Sequence, residues 1–176
     1  MYIKKTLISL FRSLAMMAFL LWATALADRT KSEAAFDRLA SLQGEWQGEE
    51  KGNKINVTYI LTANGSALME QFRPAAGPVM ITIFTVDGDH MVATHYCSAK
   101  NQPQMVTPAI IDAQEPLAFS LARITGLKSP DDWHNTGLTI IQEDNDHLRQ
   151  EWTYESKGKR GKTIFHYTRI RQGAGQ

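Results

Sequence analysis

Short alternating segments separated by turn motifs constrain this chain more than any other feature of its sequence. From residue 44 onward, apolar and polar residues alternate with a period of two, which is the pattern of half-buried β-strands. We predict ten strands, at residues 44–50, 54–62, 66–73, 78–86, 90–98, 104–112, 117–124, 136–143, 147–156 and 162–171. The breaks between them carry turn residues, among them Gly52-Asn53, Asn64-Gly65 and Asp144-Asn145.

The short loops between these segments favour antiparallel pairing of consecutive strands. An up-and-down β-barrel accommodates such a meander and leaves no exposed edge. Before the first strand, Phe36, Leu39 and Leu42 form an apolar stripe that predicts a short helix at residues 32–42. The predicted fold is therefore an all-β, up-and-down antiparallel barrel of about ten strands with a short N-terminal helix. A two-sheet sandwich is the alternative, and the lack of long crossovers disfavours it.

The N-terminal region has the composition of a secretory signal peptide. Three basic residues and no acidic one precede position 28, residues 14–22 are apolar, and residues 25–27 (Ala-Leu-Ala) fit a cleavage site. The alternative is an uncleaved anchor, but the apolar run is shorter than the ~20 residues that a membrane span needs. We therefore predict a signal peptide at 1–27, a barrel domain at 28–176 and a periplasmic or secreted protein with no remaining span.

The charge balance excludes some partners. The chain has 19 basic and 18 acidic residues, and cleavage would remove Lys4, Lys5 and Arg12. That leaves 16 basic against 18 acidic residues, so the formal net charge changes from +1 to −2. Nothing in this balance indicates nucleic acid or an anionic membrane surface as a partner.

One strand carries two chemically reactive side chains. His95 precedes the single cysteine, Cys97, by two positions, so both side chains point to the same face of a strand. Met91 and Ala93 precede them on that face, which makes it the predicted interior. A turn is predicted to follow at Asn101-Gln102-Pro103. This arrangement suggests a lined cavity in the barrel.

Cys97 and His95 also have a purely structural interpretation. A single cysteine forms no internal disulfide, and free cysteines are among the most buried residues in proteins. A packed thiol beside a hydrogen-bonded core histidine would explain the pair equally well. Side chains two positions apart on a strand are ~6–7 Å apart, which disfavours a nucleophile–base pair and hence a cysteine hydrolase.

Three further polar residues are candidates for ligand contact. Glu70 lies in an otherwise apolar strand, and if it faces inward it must be paired, because an isolated buried carboxylate is very costly. Its possible partners are Arg73, Arg123 and Arg149. The alternative is a solvated, outward-facing Glu70. Asn101 and Gln102 either bind a ligand at the barrel mouth or only cap the turn.

The segment Leu42-Gln43-Gly44-Glu45-Trp46-Gln47-Gly48 has the form Leu-x-Gly-x-Trp-x-Gly. It resembles the first strand of calycin-type barrels, which include lipocalins, fatty-acid-binding proteins and nitrobindins. With the stretches at 61–70, 87–89 and 94–103, it resembles a family of exported bacterial calycin-like proteins of unknown function. The resemblance implies a barrel in which Trp46 plugs one end, and Trp46 joins the candidate ligand contacts.

Nitrobindins hold haem iron through a histidine on a late strand, and His166 lies on the last predicted strand. The resemblance therefore makes haem binding a hypothesis, although the nitrobindin histidine stretch is not reproduced. We assign no metal ligands, because the Asp-x-Asp-His segments at 87–90 and 144–147 are explained by turn chemistry.

The favoured function is non-enzymatic binding of a small apolar or amphipathic molecule in the barrel, with its cofactors and biological role undetermined. His95, Glu70 and Asn101 would orient the molecule. A second hypothesis is a haem or metal protein that uses His166, or His95 with Cys97. A third is an enzyme on a lipid-like substrate with His95 as general base, and a fourth is a structural barrel with a filled interior.

Overall fold

Ten antiparallel strands close into a barrel in the part of the chain that the structure describes, residues 29–50 and 52–171 of a computed structural model. One helix, α1 (Lys31–Ala40), precedes the strands. The strands are β1 (Gly44–Glu50), β2 (Asn53–Thr62), β3 (Ala67–Arg73), β4 (Met80–Asp87), β5 (His90–Tyr96), β6 (Gln102–Val106), β7 (Leu117–Thr125), β8 (His134–Gln142), β9 (His147–Ser156) and β10 (Lys159–Arg169). The predicted signal peptide at 1–27 lies outside the described residues.

Each strand pairs with its neighbours in sequence, and β1 pairs with β10 to close the sheet. At this seam Trp46 lies opposite Arg169 and Gly48 lies opposite Tyr167. The predicted all-β barrel with one short helix is thus confirmed, and closure excludes the two-sheet sandwich. No described helix has the length and apolar character needed to cross a membrane.

Strand β6 differs most from the sequence prediction, because it spans Gln102–Val106 rather than 104–112. Beyond Val106 the chain still follows β5: the Thr107 N–H donates to the Met91 carbonyl (3.0 Å) and the Ile110 N–H to the Asp89 carbonyl (2.8 Å). Pro108 lies between these two donors and has no N–H, so the regular ladder ends there.

The turn between β5 and β6 also lies earlier than predicted. It occupies residues 97–100, where the Lys100 N–H donates to the Cys97 carbonyl (3.0 Å) and Lys100 adopts a positive φ of 64°. Gln102 and Pro103 belong to β6. The predicted turn at Asn101-Gln102-Pro103 is therefore wrong, because the reversal is complete before Asn101.

Helix α1 covers one end of the barrel. Its buried residues Ala35, Phe36 and Leu39 join the core of the barrel. Ser32 Oγ donates to the Gly88 carbonyl in the β4–β5 turn (2.6 Å), so the helix is also fastened by a polar contact. Arg38 adds two contacts, to the carbonyls of Ala113 (2.7 Å) and Glu115 (2.5 Å) in the β6–β7 loop.

Trp46 and Arg169 complete this closed end. The Trp46 side chain is fully buried, and its Nε1 donates to the Leu42 carbonyl (2.7 Å). The Arg169 guanidinium lies over the Trp46 ring, with Cζ 4.3 Å from the ring centre. Its nitrogens donate to the carbonyls of Gln43 (2.9 Å), Ser41 (3.0 Å) and Asn145 (2.8 Å). Arg169 thus links β10 to the chain before β1 and to the β8–β9 turn.

Candidate ligand-binding site

The opposite end of the barrel contains a cavity of about 250 Å³. Residues from several turns at this end line it, including Pro74 and Pro78 of the β3–β4 loop, Ser98 of the β5–β6 turn and Trp133 of the β7–β8 loop. The long segment before β8 therefore borders one mouth of the barrel.

Aromatic rings dominate the wall of the cavity. Among the described residues, the phenylalanine, tyrosine and tryptophan side chains that line it are Phe72, Trp133, Trp152, Tyr154 and Phe165. They form three ring pairs together with His95, with centroid distances of 5.6 Å for Phe72–Phe165, 4.9 Å for His95–Trp152 and 5.5 Å for Trp133–Tyr154. These distances lie in the usual range of interacting rings, so the pairs support one another around the cavity.

A row of polar side chains crosses the sheet on its inner face. Tyr59 lies opposite Glu70, Glu70 opposite Thr82, and Thr82 opposite His95, on strands β2 to β5. Directly opposed residues share one face of a sheet. Since Glu70 and His95 both line the cavity, the row connects the cavity to the barrel core.

Gln150 joins this row from strand β9. Its Nε2 donates to Tyr59 Oη (2.7 Å) and to Glu70 Oε2 (2.5 Å), and its Oε1 accepts from Trp152 Nε1 (3.0 Å). Tyr59 Oη in turn donates to Glu70 Oε2 (2.7 Å). Each donor meets an acceptor, so the geometry of Glu70 is fixed from two sides.

Glu70 is 1% exposed, and burial raises its pKa above the ordinary value. Hydrogen bonds from Tyr59, Gln150 and Thr82 oppose that shift, because they stabilise the charged form. Burial also raises the pKa of Tyr59 well above its usual value, and the neighbouring Glu70 adds to this effect. Tyr59 is therefore a hydroxyl donor throughout the neutral pH range.

His95 is 4% exposed, and burial lowers its pKa to about 4, so its ring is neutral at neutral pH. Its Nδ1 lies 2.9 Å from Thr82 Oγ1, so the imidazole ring is hydrogen-bonded to the polar row.

The structure thus brings two of the predicted site residues, His95 and Glu70, to one cavity. The predicted arginine partners of Glu70 are wrong, because Tyr59 and Gln150 occupy that role. Among those arginines, Arg73 bonds Thr58 and Gln71, and Arg149 bonds Glu143 and Glu151.

Cys97 and Asn101 are buried but are not among the residues that line the cavity. Cys97 Sγ accepts from the Ala99 N–H (3.4 Å) within the turn. Asn101 Nδ2 donates to the Trp133 carbonyl (2.8 Å), which anchors the loop that carries Trp133. Gln102 Oε1 accepts from Thr125 Oγ1 (2.9 Å) and so links β6 to β7.

Trp46 and His166 lie away from the cavity. Trp46 belongs to the closed end, where it contacts Arg169. His166 is exposed, and its neighbours Phe165 and Tyr167 are buried, so it faces outward from β10. An interior haem ligand at this position has no support in the geometry.

Four network residues were missed from the sequence: Tyr59, Thr82, Gln150 and Trp152. A usable signal was present, because each occupies an inward position of its strand. Gln150 stands between Leu148 and Trp152 in the alternation of β9. A polar residue at an inward position requires a partner, and several such positions indicate one shared network.

The cavity does not fit haem. Its volume of about 250 Å³ is below the roughly 300–1,000 Å³ typical of drug-sized ligands, and a porphyrin is larger than most of these. In the described part of the chain, no group of three or more His, Cys, Asp or Glu side chains is placed to hold a metal ion.

No protein-family model matches this chain, and no curated protein matches it. Among solved structures it is similar to a protein of unknown function from the DUF3598 family of Nostoc punctiforme, with 14% sequence identity and a TM-score of 0.42. The match covers 75% of this chain and 48% of that protein, so the chain spans about half its length. The calycin-like family therefore stays a resemblance in sequence.

Proposed function

We propose that this protein binds one small apolar or amphipathic molecule in the cavity at the open end of its barrel. The observation that carries the proposal is the cavity itself, which has aromatic walls and a hydrogen-bonded polar row at its edge. Apolar walls with a few convergent polar groups are the usual form of a small-molecule site. The imidazole ring of His95 and the carboxyl of Glu70 would orient the molecule.

The cavity volume limits the size of the ligand. An apolar cavity of about 150 Å³ is enough to bind benzene. A cavity of about 250 Å³ therefore suits a molecule of one or two rings with a short polar group. Burial of the apolar surface of such a ligand at ~25 cal/mol per Å² supplies the affinity, against which the cost of association must be set.

A pair of variants in one turn tests the site. Ser98 lines the cavity mouth, whereas its exposed neighbour Ala99 does not. We expect Ser98→Trp to cover the mouth and to weaken binding of one-ring and two-ring compounds at least tenfold, while Ala99→Trp leaves it unchanged. Ligand-detected NMR with the purified protein measures both. If Ser98→Trp binds these compounds as tightly as Ala99→Trp does, the ligand lies elsewhere.

Export to the periplasm remains part of the proposal and has its own test. The composition of residues 1–27 supports it. Expression of the full chain in a bacterium, followed by mass measurement of the protein in a periplasmic extract, is expected to give a mature chain that begins at Asp28. Recovery of the intact chain from the cytoplasm alone would contradict export.

Catalysis with His95 as general base is the second candidate, and its hydrogen bond to Thr82, which lies opposite Glu70, favours it. The burial of His95 lowers its pKa to about 4. General bases work best when their pKa lies near the working pH. His95 is therefore a weak base at neutral pH, which makes binding the better supported function.

A further inference from the structure

The charges around the cavity have one sign. Among the described residues that line it, the carboxyl groups belong to Glu50 and Glu70, and no lining residue is lysine or arginine. His95 adds no positive charge at neutral pH. A ligand with a carboxylate or phosphate would thus meet two acidic side chains and no basic partner, which makes its desolvation costly.

The aromatic wall also favours a positively charged ligand over an anionic one. The faces of tryptophan, tyrosine and phenylalanine rings carry negative charge density, and they attract ammonium groups more strongly when water is excluded. Rings from three strands and one loop surround this cavity, with Trp152 and Phe165 on adjacent strands and Trp133 at the mouth. A set of aromatic faces around one cavity is a usual means of recognising organic ammonium groups.

From these two observations we infer that the cavity selects an organic cation, namely a protonated amine or a quaternary ammonium compound of one or two rings, over neutral or anionic molecules of the same shape. This inference rests on the proposed binding function and names its ligand class. Glu70 is the counter-ion at the inner end of the cavity, and Glu50 adds negative charge at the mouth.

The surroundings of Glu70 explain how a buried carboxyl can serve this role. Tyr59 and Gln150 already donate to Oε2, and Thr82 donates from the next strand. These donors hold the carboxylate in position, but burial still disfavours its charge. A bound cation supplies the missing compensation, because an opposite charge at close range favours the ionised form.

A bound cation therefore lowers the pKa of Glu70, and cation binding is coupled to ionisation of this carboxyl. The ionisable groups around Glu70 are Tyr59 on β2, His95 on β5, Tyr167 on β10 and Glu50 on β1. Both tyrosines have pKa values raised well above their usual value, and the pKa of His95 is about 4. Affinity for a cation is therefore expected to rise with pH as Glu70 ionises.

An isosteric series tests the inference on the purified full-length protein. Benzylammonium, benzyl alcohol and benzoate share one ring and differ in charge, and the naphthylmethyl analogues extend the series to two rings. We expect benzylammonium to bind at least about tenfold more tightly than benzyl alcohol in isothermal titration, and benzoate to bind more weakly than either.

The outcomes separate the two proposals. Equal affinity for benzylammonium and benzyl alcohol would overturn cation selection and leave small-molecule binding standing. Tightest binding of benzoate would also overturn cation selection. If no member of either series binds, both the binding function and the cation preference fail.

Glu70→Gln tests the counter-ion, because glutamine keeps the shape and removes the charge. We expect its affinity for benzylammonium to fall to that for benzyl alcohol, with no rise as the pH increases. Glu49→Gln is the control, since it removes an exposed charge from β1.

If Glu70→Gln does not fold, Glu50→Gln at the mouth is expected to reduce the preference for benzylammonium in part. A preserved preference in a folded Glu70→Gln variant would overturn the role of Glu70.

Discussion

The two halves of this barrel are built from the same strands and differ in what covers them. In β9, Leu148 is buried in the closed half, Trp152 lines the cavity in the open half, and Gln150 stands between them. In β3, Leu68, Glu70 and Phe72 follow the same order. Helix α1 and its contacts seal the first half, whereas loops border the second. One alternation therefore produces a packed core and a cavity, and a polar row marks the boundary.

The largest effect is expected from Trp46→Ala in the closed half. Trp46 is fully buried and contacts both Leu42 and Arg169. Removal of such a side chain leaves a cavity and typically costs about 3–5 kcal/mol of unfolding free energy. Urea denaturation measures this loss. A loss under about 1 kcal/mol would show that the closed half is not what stabilises the barrel.

The next effect concerns acid sensitivity. The pKa of His95 falls from 6.5 to about 4 on folding, so between these values the unfolded chain binds a proton that the folded chain does not. The stability contributed by this residue is present above pH 6.5 and is lost as the pH falls through about 4, by about 3 kcal/mol in total. His95→Asn removes the titrating group and keeps a side chain able to hydrogen-bond Thr82.

Denaturation of wild type and His95→Asn across this pH range measures the difference in slope. Glu70 acts with the opposite sign, because its raised pKa makes its contribution fall as the pH rises above 4.5. Since Glu70 is present in both proteins, the comparison isolates His95. His166→Asn on the outer face serves as the control. If the free energy of unfolding depends on pH with the same slope in wild type and His95→Asn, a group other than His95 takes up the proton.

The closed half could be predicted from the sequence better than the open half, for a physical reason. Strand number and strand order follow from alternation and turn residues, and the plug at Trp46 follows from the short Leu-x-Gly-x-Trp-x-Gly motif, all of which are local properties. The partners of Glu70 come from β2 and β9, which lie 11 and 80 positions away from it. Pairing of inward polar groups depends on barrel closure, so arginines were predicted as partners and Gln150 was not.

The remaining prediction about the polar row concerns Tyr59→Phe. This change removes one donor to Glu70 and one acceptor for Gln150 with little change of ring volume. Loss of a buried hydrogen bond of this kind costs about 1–3 kcal/mol. Tyr96→Phe, at a 51% exposed position of β5, is the matched control and is expected to be neutral. If both variants are equally stable, the hydrogen bonds of Tyr59 contribute nothing to folding stability.

The smallest effect on stability and the clearest on binding are expected from Trp133→Ala. Trp133 is 39% exposed, and its ring contacts Tyr154 at the cavity mouth. Asn101 bonds the backbone carbonyl of Trp133, so the loop anchor survives the substitution. We expect a stability loss under about 1 kcal/mol together with a clear decrease in affinity for one-ring ligands. Trp46→Ala, assayed while folded, is expected to do the reverse. If Trp133→Ala lowers stability as much as Trp46→Ala does, the two halves form one cooperative core and the cavity is a packing defect. If Trp133→Ala lowers only the affinity for the ligand, the open half is a binding site and the closed half supplies the stability of the barrel.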